Sequence, residues 1–292
     1  MSSVNQSTKR MTVADIARMH ADGERIAMLT AYDYPTARLL DEAGIPMLLV
    51  GDSVRNILGY DSEIRVTMAD MLHHVAAVAR GAQHALIVGD MPFLSYASPE
   101  EALENAGRFL QEGGAQAVKL EGGVRSARVT EAIVRAGIPV MGHIGLTPQS
   151  LHTMGGYKVQ GKTTAAIEKL IRDARALDQA GVFSMVLEGI PREVAAMITA
   201  EVQAPTIGIG AGPECDGQVL VFHDLIGLSF VPAAKFVRQY ADVGSAITGA
   251  IEAYKKDVES GGYPSDAESY HLSREVREAL DLVLARKRAM GR

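Results

Sequence analysis

Met47-Leu-Leu-Val-Gly-Asp52 and Ala85-Leu-Ile-Val-Gly-Asp90 are two versions of one phrase: four apolar residues, a glycine and an acid. A buried helix needs a longer apolar pattern, so runs this short and this rich in Val, Ile and Leu read as strands covered on both faces. Six further runs have the same character. They are Arg25 to Asp33, Ala117-Val-Lys-Leu-Glu121, Pro139-Val-Met-Gly-His143, Ser184-Met-Val-Leu-Glu188, Pro205-Thr-Ile-Gly-Ile-Gly210 and Val219-Leu-Val-Phe-His-Asp224.

Helical patterns lie between most of these runs. Glu101 to Gln111 and Thr163 to Gln179 carry apolar residues at three- and four-residue spacing. Several helices end in a repeated phrase: Glu42-Ala-Gly-Ile-Pro46, Glu112-Gly-Gly-Ala115, Arg135-Ala-Gly-Ile-Pro139 and Gln179-Ala-Gly-Val182. Glycine there suits a left-handed helix C-cap before the next strand. Strand–helix units in series imply a parallel sheet, and eight of them favour closure into a (β/α)8 TIM barrel over an open doubly wound sheet.

Thr12 with Asp15 predicts the start of a first helix. Residues 1–10 are polar and read as a flexible tail. After Phe230 we expect a helix over 237–259, a turn at Gly261-Gly-Tyr-Pro264, a charged helix from about Ser273, and a solvated end over 286–292. No Pro/Gly/Ser-rich linker divides the chain, so 11–292 reads as one barrel domain with a C-terminal helical extension.

The chain has 292 residues, enough for one barrel of about 250 residues. Its 29 basic and 35 acidic residues leave a net charge of −6, which offers no electrostatic footprint for nucleic acid. No long charge-free apolar stretch predicts a membrane span. The single cysteine, Cys215, excludes an intrachain disulfide and a cysteine zinc cluster, so we expect a cytoplasmic protein.

Residues at the C-terminal ends of barrel strands line the active site. Here those ends carry Asp33, Asp52, Asp90, Glu121, His143, Glu188, a glycine cluster and the pair His223-Asp224. A lone acid in such a place often caps the next helix. Several acids around one mouth repel one another unless a cation joins them, and oxygen ligands alone select a hard ion such as magnesium, manganese or calcium. Lys119 lies two residues before Glu121, so both face the same side of their strand, as an anchor for a substrate carboxylate or as a structural ion pair. Ser53 can donate to a substrate oxygen or cap a helix. Two phosphate-loop look-alikes carry little. Gly208-Ile-Gly-Ala-Gly212 lacks the full dinucleotide spacing, and Gly156 to Thr163 has no apolar strand directly before it.

The wording of the chain also resembles the ketopantoate hydroxymethyltransferase family from about Met11 to Leu272. The resemblance is carried by Thr30-Ala-Tyr-Asp33, Gly51-Asp-Ser53, Leu58-Gly-Tyr-Asp-Ser62, Asp90-Met-Pro-Phe93, Gly114 to Gly123 and Val140 to Gln149. Gly155-Gly-Tyr-Lys-Val-Gln-Gly161, Val186-Leu-Glu188, Ile207 to Pro213 and Asp216-Gly-Gln218 extend it. It implies a barrel of the phosphoenolpyruvate/pyruvate type. It implies transfer of a one-carbon unit from 5,10-methylenetetrahydrofolate to 3-methyl-2-oxobutanoate, giving 2-dehydropantoate for pantothenate synthesis. The implied magnesium ligands are Asp52, Asp90 and Glu121. Implied substrate contacts are Asp52, Ser53, Asp90, Lys119 and His143, and the implied proton acceptor is Glu188. A homo-oligomer, octamer or decamer, is implied as well.

Two stretches depart from the family's common wording: Asp52-Ser-Val-Arg-Asn56 and Glu63-Ile-Arg65. Neither touches an implied catalytic position. The alternative readings are a magnesium-dependent carbon–carbon lyase or mutase of the phosphoenolpyruvate-binding barrel group, and a catalytically silent barrel.

Overall fold

In the computed structural model, residues 9–291 are described. By its contacts the chain divides into two compact units, one up to Ala241 and one from Asp242, where the sequence predicts one domain. Residues 1–8, most of the expected tail, lie outside the described residues. Arg10 is held, its guanidinium donating to the carbonyl of Ala82 at 2.7 Å.

The first unit is a closed barrel of eight parallel strands in sequence order, with β8 pairing back onto β1. The strands are β1 (Ile26–Thr30), β2 (Met47–Val50), β3 (Leu86–Asp90), β4 (Ala117–Glu121), β5 (Val140–Gly145), β6 (Ser184–Glu188), β7 (Thr206–Ile209) and β8 (Gly217–Leu220). Alternation along the strands separates two cores. Ile26, Met28, Met47, Leu86, Val88, Ala117, Met141, Val186, Ile207 and Val219 form one cluster, the barrel interior. The intervening residues, such as Leu48, Ile87, Val118, Leu120, Met185 and Leu187, pack with the helices in another.

The helices follow local signals. Thr12 and Asp15 make the expected capping box of Val13–Ala21. Gly44 and Gly181, each just past a helix, take φ of +79° and +87°, which a residue with a Cβ rarely adopts.

The eighth strand differs from expectation. It is Gly217–Leu220, and Phe222–Leu225 forms a helical turn. The apolar run through Phe222 outlasts its partner: Leu29 pairs with Leu220, and β1 ends at Thr30. The Phe222 N–H donates to the Thr30 hydroxyl at 3.0 Å. At the start of the strand, a Cβ on Gly217 would lie 2.3 Å from the carbonyl oxygen of Ile26, so glycine permits the approach that closes the barrel.

The second unit contains the helices Val243–Ser260 and Arg274–Met290. The first starts six residues later than the expected 237, because the Asp242 carboxylate caps it by accepting from the N–H of Ser245 at 3.2 Å. The second runs on through residues 286–290, expected to be a tail.

Candidate active site

Strand register sets the site. Asp90 of β3 is level with Lys119 of β4, Glu121 of β4 with His143 of β5, and Gly145 of β5 with Glu188 of β6. Asp52 and Ser53 follow β2 in a short 3-10 turn. All of these residues except Gly145 line one cavity of about 810 Å³ at the C-terminal end of the barrel.

Two groups of side chains can be traced in the cavity. In the first, Lys119 donates from Nζ to Asp90 Oδ2 at 2.6 Å, and the Asp52 N–H reaches the same oxygen at 3.3 Å. The Lys119–Asp90 pair is almost wholly buried, with side-chain exposures of 4 % and 2 %. In the second, His143 stands between two carboxylates. Its Nδ1 lies 3.5 Å from Glu121 Oε1 and its Nε2 lies 3.2 Å from Glu188 Oε2. These are ion-pair distances whose alignment falls short of a hydrogen bond.

The electrostatics follow from burial and crowding. Burial, and then the nearby Asp90, push the Asp52 carboxyl well above the usual carboxylate range. Burial also raises Asp90, against the pull of Lys119. For Lys119 burial works against the charge, but Asp90, Asp52 and Glu121 outweigh it and the ammonium is held. Burial and Lys119 both disfavour a protonated His143, yet Glu121 and Glu188 prevail and hold it up at about 9.

Asp90 Oδ1 and Glu121 Oε1 are buried without a hydrogen-bond partner. Buried carboxylate oxygens left this way are costly, and a cation is one partner able to satisfy them. Among the described residues no three His, Cys, Asp or Glu side chains already converge as a metal cage. Magnesium does not require one, since it is usually held by one or two carboxylates and completes its shell with water and substrate oxygens. The all-oxygen set of Asp52, Asp90 and Glu121 therefore fits a hard divalent ion.

Residues 10–266 match the family model described as ketopantoate hydroxymethyltransferase. The chain belongs to the ketopantoate hydroxymethyltransferase family. By that membership it is an enzyme, a hydroxymethyltransferase. It is 58 % identical over 283 residues to the 3-methyl-2-oxobutanoate hydroxymethyltransferase of Koribacter versatilis (strain Ellin345), covering 96 % of each chain. It is 57 % identical to the protein of that name from Dehalococcoides mccartyi (strain CBDB1), covering 93 % of this chain and 98 % of that one. Among solved structures it resembles 2,3-dimethylmalate lyase of the PEP mutase/isocitrate lyase superfamily, with TM-score 0.58, 19 % identity, and 96 % and 98 % of the two chains covered. Phosphonopyruvate hydrolase, solved with oxalate and Mg++, gives TM-score 0.60 at 12 % identity and covers 96 % and 98 %. At these identities the two structures establish a shared barrel fold.

Not every strand-end residue of this family member joins the cluster. Asp33 is a helix N-cap, accepting from the N–H of Thr36 at 2.8 Å. Asp224 lines the cavity from the helical turn after β8. Beside it, His223 faces Tyr32 with ring centres 5.7 Å apart. Ser53 lines the cavity and shares a 2.7 Å hydrogen bond with the Tyr32 hydroxyl. Thr163 of the phosphate-loop look-alike caps Thr164–Gln179.

Sequence reasoning gives Gln149 no role, yet this residue links the two groups. Its Nε2 donates to Asp52 Oδ2 and to the Met91 carbonyl, both at 3.0 Å, and its backbone N–H donates to Glu121 Oε2 at 3.1 Å. Its Oε1 accepts from the Tyr96 hydroxyl at 2.6 Å. The only signal is an amide in Gly-Leu-Thr-Pro-Gln149, directly after a strand, and nothing local says what that amide meets.

Proposed function

We propose that this protein is a magnesium-dependent 3-methyl-2-oxobutanoate hydroxymethyltransferase of pantothenate biosynthesis. It removes a proton from carbon 3 of the oxoacid and joins that carbon to the one-carbon unit of 5,10-methylenetetrahydrofolate. Water supplies the hydroxyl oxygen, 2-dehydropantoate is the product and tetrahydrofolate is released. One observation carries the reading: a carboxylate paired with a histidine, Glu188 with His143, shares a cavity with buried acid oxygens that lack hydrogen-bond partners.

Asp52, Asp90 and Glu121 are the residues to hold the magnesium. When bound, the ion supplies Lewis acidity that eases loss of the proton next to the ketone. Lys119, kept charged by its acid neighbours, provides a cation for the substrate carboxylate. Ser53 offers a hydroxyl to a substrate oxygen. Glu188 is the general base. His143, 3.2 Å from its carboxylate, orients it toward the substrate. Holding both reactants in one cavity supplies much of the rate.

The cavity of about 810 Å³ far exceeds a five-carbon oxoacid. Its outer half, with the exposed Val159, Val231 and Phe236 on its wall, is apolar enough for the ring system of the co-substrate. The reading includes a cytoplasmic homo-oligomer, octamer or decamer. Ile247, Ile251, Tyr254 and Val258 are exposed at helical spacing on Val243–Ser260, a surface suited to contact between copies. No helix among the described residues is long and apolar enough to cross a membrane.

The decisive assay supplies 3-methyl-2-oxobutanoate and 5,10-methylenetetrahydrofolate, with magnesium and then with chelator. Magnesium-dependent 2-dehydropantoate is expected. If folded protein exchanges deuterium into the oxoacid but ignores the folate, the lyase or mutase alternative stands instead.

A further inference from the structure

Two stretches that follow β2, 52–56 and 63–65, meet in space. Arg55, in 52–56, donates from Nε to Glu63 Oε1 in 63–65. The other carboxylate oxygen of Glu63 accepts from the hydroxyl of Tyr157, 94 residues away, at 2.7 Å. Glu63 is only 5 % exposed, so a carboxylate there is tolerable only while it has partners. Arg55 depends on it in turn: burial works against the guanidinium and Glu63 restores it.

All three residues line the outer part of the cavity, and so do Lys158 and Val159, which follow Tyr157 in the chain. Tyr157 belongs to the segment 146–163 between β5 and the helix Thr164–Gln179. That segment is pinned at its inner end by Gln149, between Asp52 and Glu121. From residue 156 to 162 it has no helix or strand of its own. Its Gln160 N–H donates to the Gly189 carbonyl at 2.9 Å, and the Tyr157 hydroxyl on Glu63 ties the same stretch to the β2 side of the cavity.

We infer that Arg55, Glu63 and Tyr157 form a clasp that positions segment 146–163 across the outer half of the cavity and so sets the affinity for the co-substrate. They are positioning residues: Arg55 fixes Glu63, Glu63 fixes Tyr157, and Tyr157 places the wall formed by Lys158 and Val159. The inference rests on reading the outer half as the folate side of the site.

The test is Tyr157→Phe, which removes one hydroxyl and no packing, together with Glu63→Gln in the full-length protein. Losing a hydrogen bond to a charged group predicts a KM for 5,10-methylenetetrahydrofolate raised about tenfold in Tyr157→Phe. We expect kcat, and folate-free deuterium exchange into 3-methyl-2-oxobutanoate, to stay within about twofold of wild type. Glu63→Gln raises the same KM, and the two changes together raise it by less than the product of the single effects, because they act on one bond. An unchanged KM overturns the inference, and so does exchange that slows by the same factor as KM rises. Backbone hydrogen exchange over 146–163 decides without any substrate: faster exchange in Tyr157→Phe supports the clasp, and equal exchange overturns it. A wild type that forms no product and exchanges no deuterium refutes the proposed reaction instead, while backbone hydrogen exchange still decides whether the clasp holds the segment.

Discussion

The floor and the mouth of the barrel interior are built by the same strands, two residues apart. On β3 the inward residues run Leu86, Val88, then Asp90; on β4 they run Ala117, then Lys119 and Glu121. Met141 gives way to His143 on β5, and Val186 to Glu188 on β6. Both layers are buried, yet opposite physics holds them. The floor gains from removal of apolar surface from water and needs no partners. The mouth gains nothing from burial, and each charge there depends on a neighbour, Asp90 on Lys119 and Glu188 on His143. Its like charges crowd together, which favours a cation among them.

The largest expected effect separates the layers outright. Chelation should abolish turnover and added magnesium should restore it, while far-ultraviolet circular dichroism stays constant because the floor holds no ion. Activity that survives exhaustive chelation would overturn magnesium as the partner of the Asp90 and Glu121 oxygens that lack a hydrogen bond. Glu188→Gln comes next. Deuterium exchange into the oxoacid should fall by about 10²–10⁴-fold, the usual contribution of a general base, with little change in the denaturation midpoint.

The third prediction compares one residue from each layer. Lys119→Met leaves Asp90 buried and unpaired and should cost about 3–5 kcal/mol of stability, with activity lost as well. Leu86→Ala should cost a similar amount, about 2–5 kcal/mol, by leaving a cavity. Urea titration and assays of both variants check this. In the floor variant the surviving folded protein should turn over at nearly the wild-type rate; if it does not, floor and mouth are coupled more tightly than alternation along the strands implies. The smallest effect is expected for Gln149→Leu, at about 1–3 kcal/mol, since it strips a donor from Asp52 while the backbone N–H still serves Glu121. A weaker affinity for magnesium should accompany it, measurable by activation of turnover.

Much of this is legible in the sequence because it is local. Capping signals and strand periodicity act over a few residues, so Thr12–Asp15, the glycines after helices and seven of the eight strands can be placed from sequence. The parity that puts Lys119 and Glu121 on one side of β4 is equally local. The eighth strand is read as ending at Asp224, four residues past Leu220, because its end depends on where β1 stops, and that is a property of the closed barrel. Asp33 and Asp52 look alike in sequence, an acid after an apolar run. Only their neighbours separate a cap from a site residue.

By itself, then, the sequence determined the repeated strand–helix units, the barrel they favour, and which charged residues stand at strand ends, since periodicity and propensity are written in adjacent residues. Only the tertiary structure decided that Gln149 ties Asp52 to Glu121, that His143 stands between Glu121 and Glu188, and that Arg55 and Glu63 are partners. The reason is distance along the chain. Gln149 and Asp52 are 97 residues apart, and no local pattern encodes which side chains barrel closure will bring within 3.0 Å of each other.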